Sequence, residues 1–103
     1  MNFINYKVVI RNEVHDDIFE FADYIFRFSF SESISRNISN IIYEKINWLG
    51  FMPQMYQKVL WDYRVALVKK TYRIFYRIDE EEKKVIIVRV IRTDQNIEEI
   101  LFD

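Results

Sequence analysis

Residues 72–79 read YRIFYRID and residues 84–92 read KVIIVRVIR, and these two stretches decide the fold. Both are rich in β-branched and aromatic residues, which favour β-strands. The charged run from Glu80 to Lys83 separates them, so the sequence predicts an antiparallel hairpin with a solvated turn. Arginines recur along the hairpin at positions 73, 77, 89 and 92. We expect the upstream chain to cover one face of the hairpin and the other face to be open to water.

The composition predicts one domain over residues 1–103. Half of the residues are hydrophobic and 17% are aromatic, which is enough for one packed core without covalent cross-links. The chain has no cysteine, which excludes disulfides and thiolate metal sites and fits a reducing cytosol. No apolar run approaches the roughly 18 residues of a membrane-spanning helix, and the N-terminus lacks the order of a signal peptide. We therefore expect a cytoplasmic protein without a membrane segment.

The charges are distributed unevenly although the formal net charge is only −1. Residues 58–92 hold ten Lys or Arg against five Asp or Glu, whereas residues 93–103 hold four acidic residues and no basic one. One interpretation is that the hairpin charges solvate an exposed face. The other is a basic surface for an anionic partner. Domains that bind nucleic acid strongly are usually more basic overall, so direct attraction to RNA or DNA should be weak.

The chain before the hairpin begins with a predicted strand, Asn5–Arg11, followed by a helix over Glu13–Phe28. Asn12 is a candidate for the N-terminal cap of that helix. His15, the single histidine, is predicted to be solvated, since no residues with metal-ligand spacing stand near it. The helix has a core-facing stripe at the spacing i, i+3, i+4, i+7. The stripe consists of Ile18, Phe21, Ala22 and Ile25.

A second helix is predicted over Glu32–Leu49. Ser29 and Glu32 have the spacing of a capping box, and Gly50 stands where a left-handed C-terminal cap is expected. Because only a few residues join the two helices, they should lie antiparallel. A DNA-reading helix-turn-helix needs more phosphate contacts than the two cations of the second helix can supply.

The remaining chain is predicted to be a flap over Phe51–Asp62, a strand over Tyr63–Lys70, and then the hairpin. The resulting order is β-α-α-β-β-β, and the late strands should pair as a meander. The fold class is therefore α+β, with two antiparallel helices packed on one face of a small twisted antiparallel sheet.

The sequence resembles the RelE/ParE superfamily of bacterial type II toxins over nearly its whole length. The resemblance depends on the two helices, on the YRIFYRID strand, on the VIIVRVIR strand and on the Gln95-Asn96-Ile97 tail. It implies a toxin that causes growth arrest, that is often linked to plasmid stabilisation, and that an adjacently encoded antitoxin silences. Neither a cofactor nor a metal ion is implied.

One branch of the superfamily, the RelE-like branch, cleaves mRNA in the ribosome without a metal. Such chemistry needs a base, an acid and cations for the phosphate. On this resemblance Arg73 matches the strand arginine, and Lys69, Lys70 and Arg92 add charge. The tail from Thr93 to Asp103 has neither histidine nor tyrosine, and free Lys and Arg are poor bases.

The ParE-like branch is the closer resemblance. Its members bind DNA gyrase and convert it into a DNA-damaging complex, which needs a binding surface and no acid–base pair. On this resemblance the candidate target-binding residues are Arg73, Arg77, Arg89 and Arg92, each of which has a structural role as its alternative. A third hypothesis is a toxin-shaped module of weak or lost toxicity that only binds an antitoxin.

An antitoxin is the expected partner under all three hypotheses. The candidate antitoxin-binding residues are aromatic or sulfur-containing side chains of the first helix and the flap, which offer an apolar groove to an amphipathic segment. They are Phe19, Phe26, Phe51, Met55 and Tyr56. The open edge of the sheet can also accept an added strand. A homodimer through the same surfaces is a further possibility.

Overall fold

A computed structural model describes residues 5–96. Two helices pack with one five-stranded sheet, in the strand order β1-β5-β4-β3-β2. The α+β fold class predicted from the sequence is confirmed. None of the helices in residues 5–96 is long and apolar enough to cross a membrane. The elements are β1 (Lys7–Ile10), α1 (Asn12–Ser29), α2 (Glu32–Trp48), a 3₁₀ turn (Pro53–Met55), β2 (Lys58–Leu60), β3 (Tyr63–Val68), β4 (Tyr72–Asp79) and β5 (Lys84–Arg92).

The sheet differs from the prediction in two respects, because it is mixed and has a fifth strand. β1 pairs with β5 in parallel, from Lys7 opposite Lys84 to Ile10 opposite Ile87. β1 is followed by the two helices and not by a tight hairpin turn. The connection therefore does not require β1 to pair antiparallel with its neighbour. The extra strand, β2, lies in the predicted flap and is only three residues long. Such a short segment has no detectable period-2 pattern.

The hairpin itself has the predicted bounds, residues 72–79 and 84–92. β3 pairs antiparallel with β4, and β4 pairs antiparallel with β5. The β3–β4 connection is a tight turn in which Lys69 and Lys70 have φ values of 52° and 60°, and Thr71 N donates to the carbonyl of Val68. Two consecutive left-handed residues match the right-handed twist of the flanking strands. The turn therefore shortens the predicted strand by two residues.

The helix ends use different caps from those predicted. Asn12 is the first residue of α1, and Arg11 precedes it without a side-chain cap. Ser31, rather than Ser29, caps α2, since its Oγ accepts a hydrogen bond from Ile34 N at 3.3 Å. The predicted capping box was wrong because Ser29 remains in α1 and donates to the carbonyl of Ile25. α1 ends at Ser29, and Phe30 follows it with a left-handed φ of 54°.

The core lies between the helix pair and one face of the sheet. Burial of this apolar surface is the main favourable contribution to folding. Its fully or nearly fully buried side chains are Val14, Ile18, Ile42, Ile46, Leu49, Ala66, Val68, Tyr72, Ile74, Tyr76, Val85, Ile87 and Val90. On the opposite face Phe75, Val88 and Ile91 are also buried. That face is therefore not open to water along the centre of the hairpin, which corrects the expectation from the sequence.

The flap is attached to the core through a buried tyrosine. Tyr76 is fully buried, and its hydroxyl donates to the carbonyl of Pro53 at 2.7 Å. Burial raises the pKa of Tyr76 to about 12, so the hydroxyl keeps its proton and remains a donor at physiological pH. A second attachment lies at the surface, where Gln54 donates to the Tyr6 hydroxyl at 2.6 Å. These contacts connect the flap to the centre of the sheet and to the chain before β1.

A buried carboxylate joins α1 to β5. Asp17 is 8% exposed and accepts two parallel hydrogen bonds from the Arg89 guanidinium, at 2.9 and 2.8 Å. It also accepts a hydrogen bond from the backbone amide of Val90 at 3.0 Å. β1 ends its pairing at Ile87, so Asp17 satisfies an amide of β5 beyond the reach of β1. Bidentate, charge-assisted bonds of this kind are among the strongest in proteins.

Gly50 allows the end of α2 to lie directly against β1. A Cβ at this position would stand 2.8 Å from the carbonyl oxygen of Tyr6 and 2.8 Å from Cγ2 of Val8. Tyr6 N donates to the Gly50 carbonyl at 2.8 Å, so the two backbones are in direct contact. The backbone of Gly50 does not have a positive φ. The predicted left-handed cap was therefore wrong, and close backbone approach is the reason for glycine here.

We predict that Asp17→Ala lowers the free energy of unfolding by about 2–4 kcal/mol. The change removes one partner of a largely buried ion pair and leaves the Arg89 guanidinium and the Val90 amide without an acceptor. Chemical denaturation followed by circular dichroism measures the effect. Asp17→Asn keeps the shape and one acceptor oxygen, so its loss should be smaller.

The matched control for this prediction is Arg36→Ala. It removes an exposed ion pair with Glu32, whose N–O distance is 3.8 Å, and exposed pairs contribute at most about 1 kcal/mol. Equal losses for Asp17→Ala and Arg36→Ala would contradict a stabilising role for the buried contact.

We also predict that Gly50→Ala lowers the midpoint of thermal unfolding by at least about 4 °C. The new methyl group would force apart two backbones that are in contact. A loss of about 1 kcal/mol produces a shift of this size in a domain of about 100 residues. Differential scanning calorimetry measures the midpoint. Asn40→Ala, at an exposed position of α2, is the control and should leave it nearly unchanged. An unchanged midpoint for Gly50→Ala would refute the close contact.

Candidate functional site

Four of the predicted cations lie at one end of the sheet, which we term the basic end. It consists of Lys69, Lys70, Arg73 and Arg92. The β3–β4 turn and the end of β5 meet there, because Tyr72 pairs with Arg92 and Thr93 N donates to the Thr71 carbonyl at 2.8 Å. The structure therefore brings together the four cations that the nuclease hypothesis named. Residues 97–103, the rest of the predicted acidic tail, lie outside the described residues.

The two arginines of the basic end take part in local contacts. The Arg73 guanidinium donates to the carbonyls of Arg92 and Gln95, at 3.4 and 2.5 Å, and lies 5.6 Å from the centre of the Phe75 ring. Nε of Arg92 stands 3.3 Å from a carboxylate oxygen of Asp94. The side chain of Gln95 accepts from the backbone amide of Arg92 at 2.8 Å. Both arginines therefore fix the path of the chain as it leaves β5.

The basic end has cations but lacks a histidine among the described residues. His15 lies on α1, and its Nδ1 is 2.6 Å from the Tyr43 hydroxyl of α2. Tyr72, which begins β4, is 6% exposed. Burial raises its pKa, although the positive charge of Arg92 acts in the opposite direction, so its hydroxyl stays protonated at neutral pH. Within residues 5–96, no three His, Cys, Asp or Glu side chains are grouped so that they could hold a metal ion.

The other two predicted arginines stand apart from the basic end and from each other. Arg89 is bound by Asp17 at the outer edge of β5, and the carboxylate raises its pKa further. Arg77 follows Arg73 by four residues on β4, about 13 Å along the strand. Glu80, in the turn after β4, accepts hydrogen bonds from Tyr6 and Lys83. Within the described chain, the Arg77 guanidinium has neither an ion pair nor a hydrogen bond.

The predicted antitoxin-binding residues separate into two surfaces. Phe19 and Phe26 line a groove on the outer side of the helix pair. Met55 and Tyr56 line a different groove beside β2 and β3, where Leu67 is 50% exposed. Phe51 is exposed at the start of the flap. We term the second surface the flap groove, and its lining consists of Met55, Tyr56, Gln57, Val59, Val65 and Leu67.

The flap groove runs along a free strand edge. β2 pairs only with Tyr63 and Arg64, so within the described chain no strand covers the outer edge of β3 from residue 65 to residue 68. Leu67 also lines an adjoining hollow with Trp48 and Lys69. Unpaired edge groups beside apolar side chains are a template for an added strand.

A lysine fixes the wall between α2 and the flap. Nζ of Lys45 lies 5.1 Å from the centre of the Trp48 ring and 5.0 Å from that of Tyr56, which are favourable cation–π distances. Arg64 donates to the carbonyls of Tyr56 and Gln54. The flap residues therefore stand in a defined position before any partner binds, and the groove has cations at its rim.

Sequence reasoning missed Asp17 and Leu67. Val14, Asp17, Ile18 and Phe21 have the spacing of a buried stripe on the first helix. An acid at a buried position would have indicated a buried partner. Leu67 alternates with the buried Ala66 and Val68, so its outward direction could be read from the strand period. The strand period does not show that β2 ends before it reaches Leu67.

Solved structures with the same fold support the architecture. One is the RelBE2 toxin–antitoxin complex of Mycobacterium tuberculosis, at 21% identity and a TM-score of 0.63, covering 91% of this chain and 98% of that one. Another is the chromosomal ParDE system of P. aeruginosa, at 12% identity and a TM-score of 0.76, covering 86% and 97%. The isolated E. coli RelE toxin has 11% identity and a TM-score of 0.59, covering 93% and 99%.

Comparison with proteins of curated function gave no match. The family model of the ParE toxin of the type II toxin–antitoxin system parDE matches residues 8–97. That range runs from β1 to the chain beyond β5, so it includes both helices, the flap and the whole sheet. The chain therefore belongs to the ParE toxin family of type II toxin–antitoxin systems.

Proposed function

We propose that this toxin acts by binding DNA gyrase and poisoning it, without catalysis of its own. The observation that carries the proposal is the use of the arginines. Arg73 and Arg92 hold the chain as it leaves β5, and Arg89 holds α1. Arg77 remains as a cation without an ion pair among the described residues. Such a surface suits recognition of a partner, since Arg is enriched among residues that dominate binding energy.

The chemistry of the basic end supports binding over RNA cleavage. A metal-free ribonuclease needs a group that removes the proton of the 2′-hydroxyl. The buried Tyr72 is protonated at neutral pH, and a guanidinium is a very weak base. In addition, Asp94 partly neutralises Arg92. Poisoning of gyrase requires no proton transfer by the toxin, so this arrangement is sufficient for it. A toxin with this target acts in the cytoplasm, where gyrase works.

Ribosome-dependent cleavage of mRNA is the second candidate function. The basic end favours it in one respect, since Lys69, Lys70, Arg73 and Arg92 lie together. Nε of Arg73 is also buried without a hydrogen-bond partner in the described structure. An unpaired buried donor is costly unless a ligand satisfies it, and a phosphate oxygen is a suitable acceptor.

A cognate antitoxin is the proposed partner under either function. Related structures were solved as toxin–antitoxin complexes, including that of Pyrococcus horikoshii. The flap groove is the surface that best fits an antitoxin segment, because it combines a free strand edge with the half-exposed Leu67, and the cations Lys45 and Lys69 line the adjoining hollow. We propose that an extended, acidic and apolar segment adds to β3 there.

We predict that the purified toxin inhibits gyrase supercoiling and that Arg77→Ala weakens the inhibition by about tenfold, the effect of losing one important interface arginine. The measurement is a supercoiling assay over a range of toxin concentrations. Arg27→Ala is the control, since Arg27 is an exposed arginine on α1, 2.9 Å from Asp23, and its loss should leave inhibition unchanged.

The mRNA assay must be run beside the gyrase assay. Programmed ribosomes that receive the same toxin should retain intact mRNA. Cleaved mRNA together with unimpaired supercoiling would overturn the gyrase proposal in favour of the second candidate. Absence of both effects, with normal growth on strong expression, would indicate a toxin fold that retains only antitoxin binding.

We predict that Leu67→Glu weakens binding of the adjacently encoded antitoxin by at least about tenfold. The change removes the apolar contact of Leu67, and the new carboxylate would repel an acidic antitoxin segment in the flap groove. Isothermal titration calorimetry measures the dissociation constant. Phe19→Glu, which changes another exposed apolar side chain outside this groove, is the matched control. Equal affinities for wild type and Leu67→Glu would exclude the flap groove.

A further inference from the structure

Four polar side chains from three separate parts of the chain meet at the surface beside the flap. Tyr6 precedes β1, Gln54 lies in the 3₁₀ turn of the flap, and Glu80 and Lys83 belong to the turn between β4 and β5. We term this cluster the flap latch. Its members line neither the basic end nor the flap groove, so the functions discussed above do not account for it.

Three of these side chains form a closed ring of hydrogen bonds. Nε2 of Gln54 donates to the Tyr6 hydroxyl at 2.6 Å and to Oε1 of Glu80 at 3.2 Å. The Tyr6 hydroxyl in turn donates to Oε2 of Glu80 at 2.8 Å. An ionised carboxylate only accepts hydrogen bonds, so it must face the NH₂ group of the Gln54 amide and not the amide oxygen. Each side chain of the ring therefore restricts the other two.

Lys83 holds the carboxylate from the side of the turn. Its Nζ donates to Oε2 of Glu80 at 3.1 Å and stands 5.4 Å from the centre of the Tyr6 ring. The turn is held against the first strand, since Lys7 N donates to the Lys83 carbonyl at 2.9 Å. The carboxylate is therefore presented to the flap from a turn that is fixed on the sheet.

The carboxylate of Glu80 stays ionised at physiological pH. The hydrogen bond from Tyr6 is the main cause that lowers its pKa, and the hydrogen bonds from Lys83 and Gln54 act in the same direction. A group whose pKa is lowered in the folded protein makes its contacts at neutral pH and loses them only as the pH falls through the lowered value. The flap latch is therefore closed at neutral pH and opens only in acid, below the ordinary pKa of a glutamate.

Gln54 connects the flap latch to the flap groove. Met55 and Tyr56 follow it directly, and both line that groove. The carbonyl of Gln54 also accepts a hydrogen bond from Arg64 at 3.3 Å, so this residue is held through its backbone as well as its side chain. Because the three residues are consecutive, a fixed Gln54 restricts the positions that Met55 and Tyr56 can take.

We infer that the flap latch is a positioning device that holds the flap so that the flap groove is already formed when the antitoxin segment arrives. This inference rests on the antitoxin site proposed above. A loop that is ordered before binding avoids the loss of conformational entropy that a mobile loop undergoes on binding. Tyr6, Gln54 and Glu80 therefore increase the affinity for the antitoxin as positioning residues, without lining the groove.

Tyr6→Phe tests the flap latch in the free toxin, because it removes one oxygen and keeps the ring. The Met55 amide, which donates to the Met52 carbonyl at 3.2 Å, should exchange its hydrogen at least about threefold faster once the flap is loosened. Hydrogen exchange followed by NMR measures this rate. Tyr24→Phe, the same change on α1, is the matched control and should exchange like wild type.

The titration of Glu80 gives a readout that a general loss of stability would not change. In Tyr6→Phe the pKa of Glu80 should rise towards the ordinary value of a glutamate, since the main cause of its lowering is removed. The carboxyl carbon resonances measured by NMR over a range of pH report this value. Glu82 of the same turn pairs with Lys84 at 3.4 Å, so its titration should stay as in wild type.

Isothermal titration calorimetry with the adjacently encoded antitoxin tests the consequence for binding. We expect Tyr6→Phe to weaken binding about three- to tenfold, the cost of ordering one or two side chains of the flap, and Tyr24→Phe to bind like wild type. Gln54→Leu, which removes the contribution of the flap to the latch, should weaken binding to the same degree.

Two results would overturn the inference. One is an unchanged exchange rate together with an unchanged pKa of Glu80 in Tyr6→Phe, because the latch would then not hold the flap. The other is a loosened flap with unchanged affinity, while Leu67→Glu weakens binding. Failure of the antitoxin site itself is recognised separately, since Leu67→Glu would then bind like wild type while exchange and titration still decide whether the latch holds the flap.

Discussion

The contact of Asp17 with Arg89 and the Val90 amide is the interaction on which the rest of this structure depends. It satisfies three needs at once, since it neutralises a buried carboxylate, binds a guanidinium at two points and pairs an edge amide that β1 does not reach. Each of these groups would be costly to bury alone. Their mutual satisfaction fixes α1 at one edge of the sheet and thereby sets the position of the helix pair.

That placement decides which surfaces remain available. With α1 and β1 along β5, one edge of the sheet is covered, and the free edge lies on the opposite side at β3. On that side Tyr56 of the flap is held in place by Lys45 of α2 and by Arg64 of β3. The outer side of the helix pair remains exposed for the same reason, because its inner side is used by the core. The flap groove, the basic end and the outer side of the helix pair are therefore separate surfaces.

The sequence predicted the elements well where the hydrophobic pattern was long. The hairpin at residues 72–79 and 84–92 was read to the residue, and both helices were found. Features that depend on pairing between distant segments were not predicted: the parallel β1–β5 pair, the three-residue β2 and the close approach of Gly50 to Tyr6. The roles of the candidate site residues also depend on contacts between distant segments and could not be predicted for the same reason. Their recurrence along the hairpin suggested a common role for the arginines, but Arg89 binds α1 and Arg73 binds the chain after β5, so their tasks differ.

Arginine spacing alone is a poor guide to function in this fold, because the four arginines stand in different surroundings. Arg89 lies opposite Phe75 on β4, and its guanidinium binds Asp17 at the edge of β5. Arg92 lies opposite Tyr72 at the end of the sheet. Arginines that appear equivalent in sequence therefore reach an edge, an end and a face of the same sheet. A cation that holds the fold cannot move to meet developing charge without loosening the fold. Among the four arginines of the hairpin, only Arg77 has neither an ion pair nor a hydrogen bond within residues 5–96, and the proposed contact with a target is placed there for this reason.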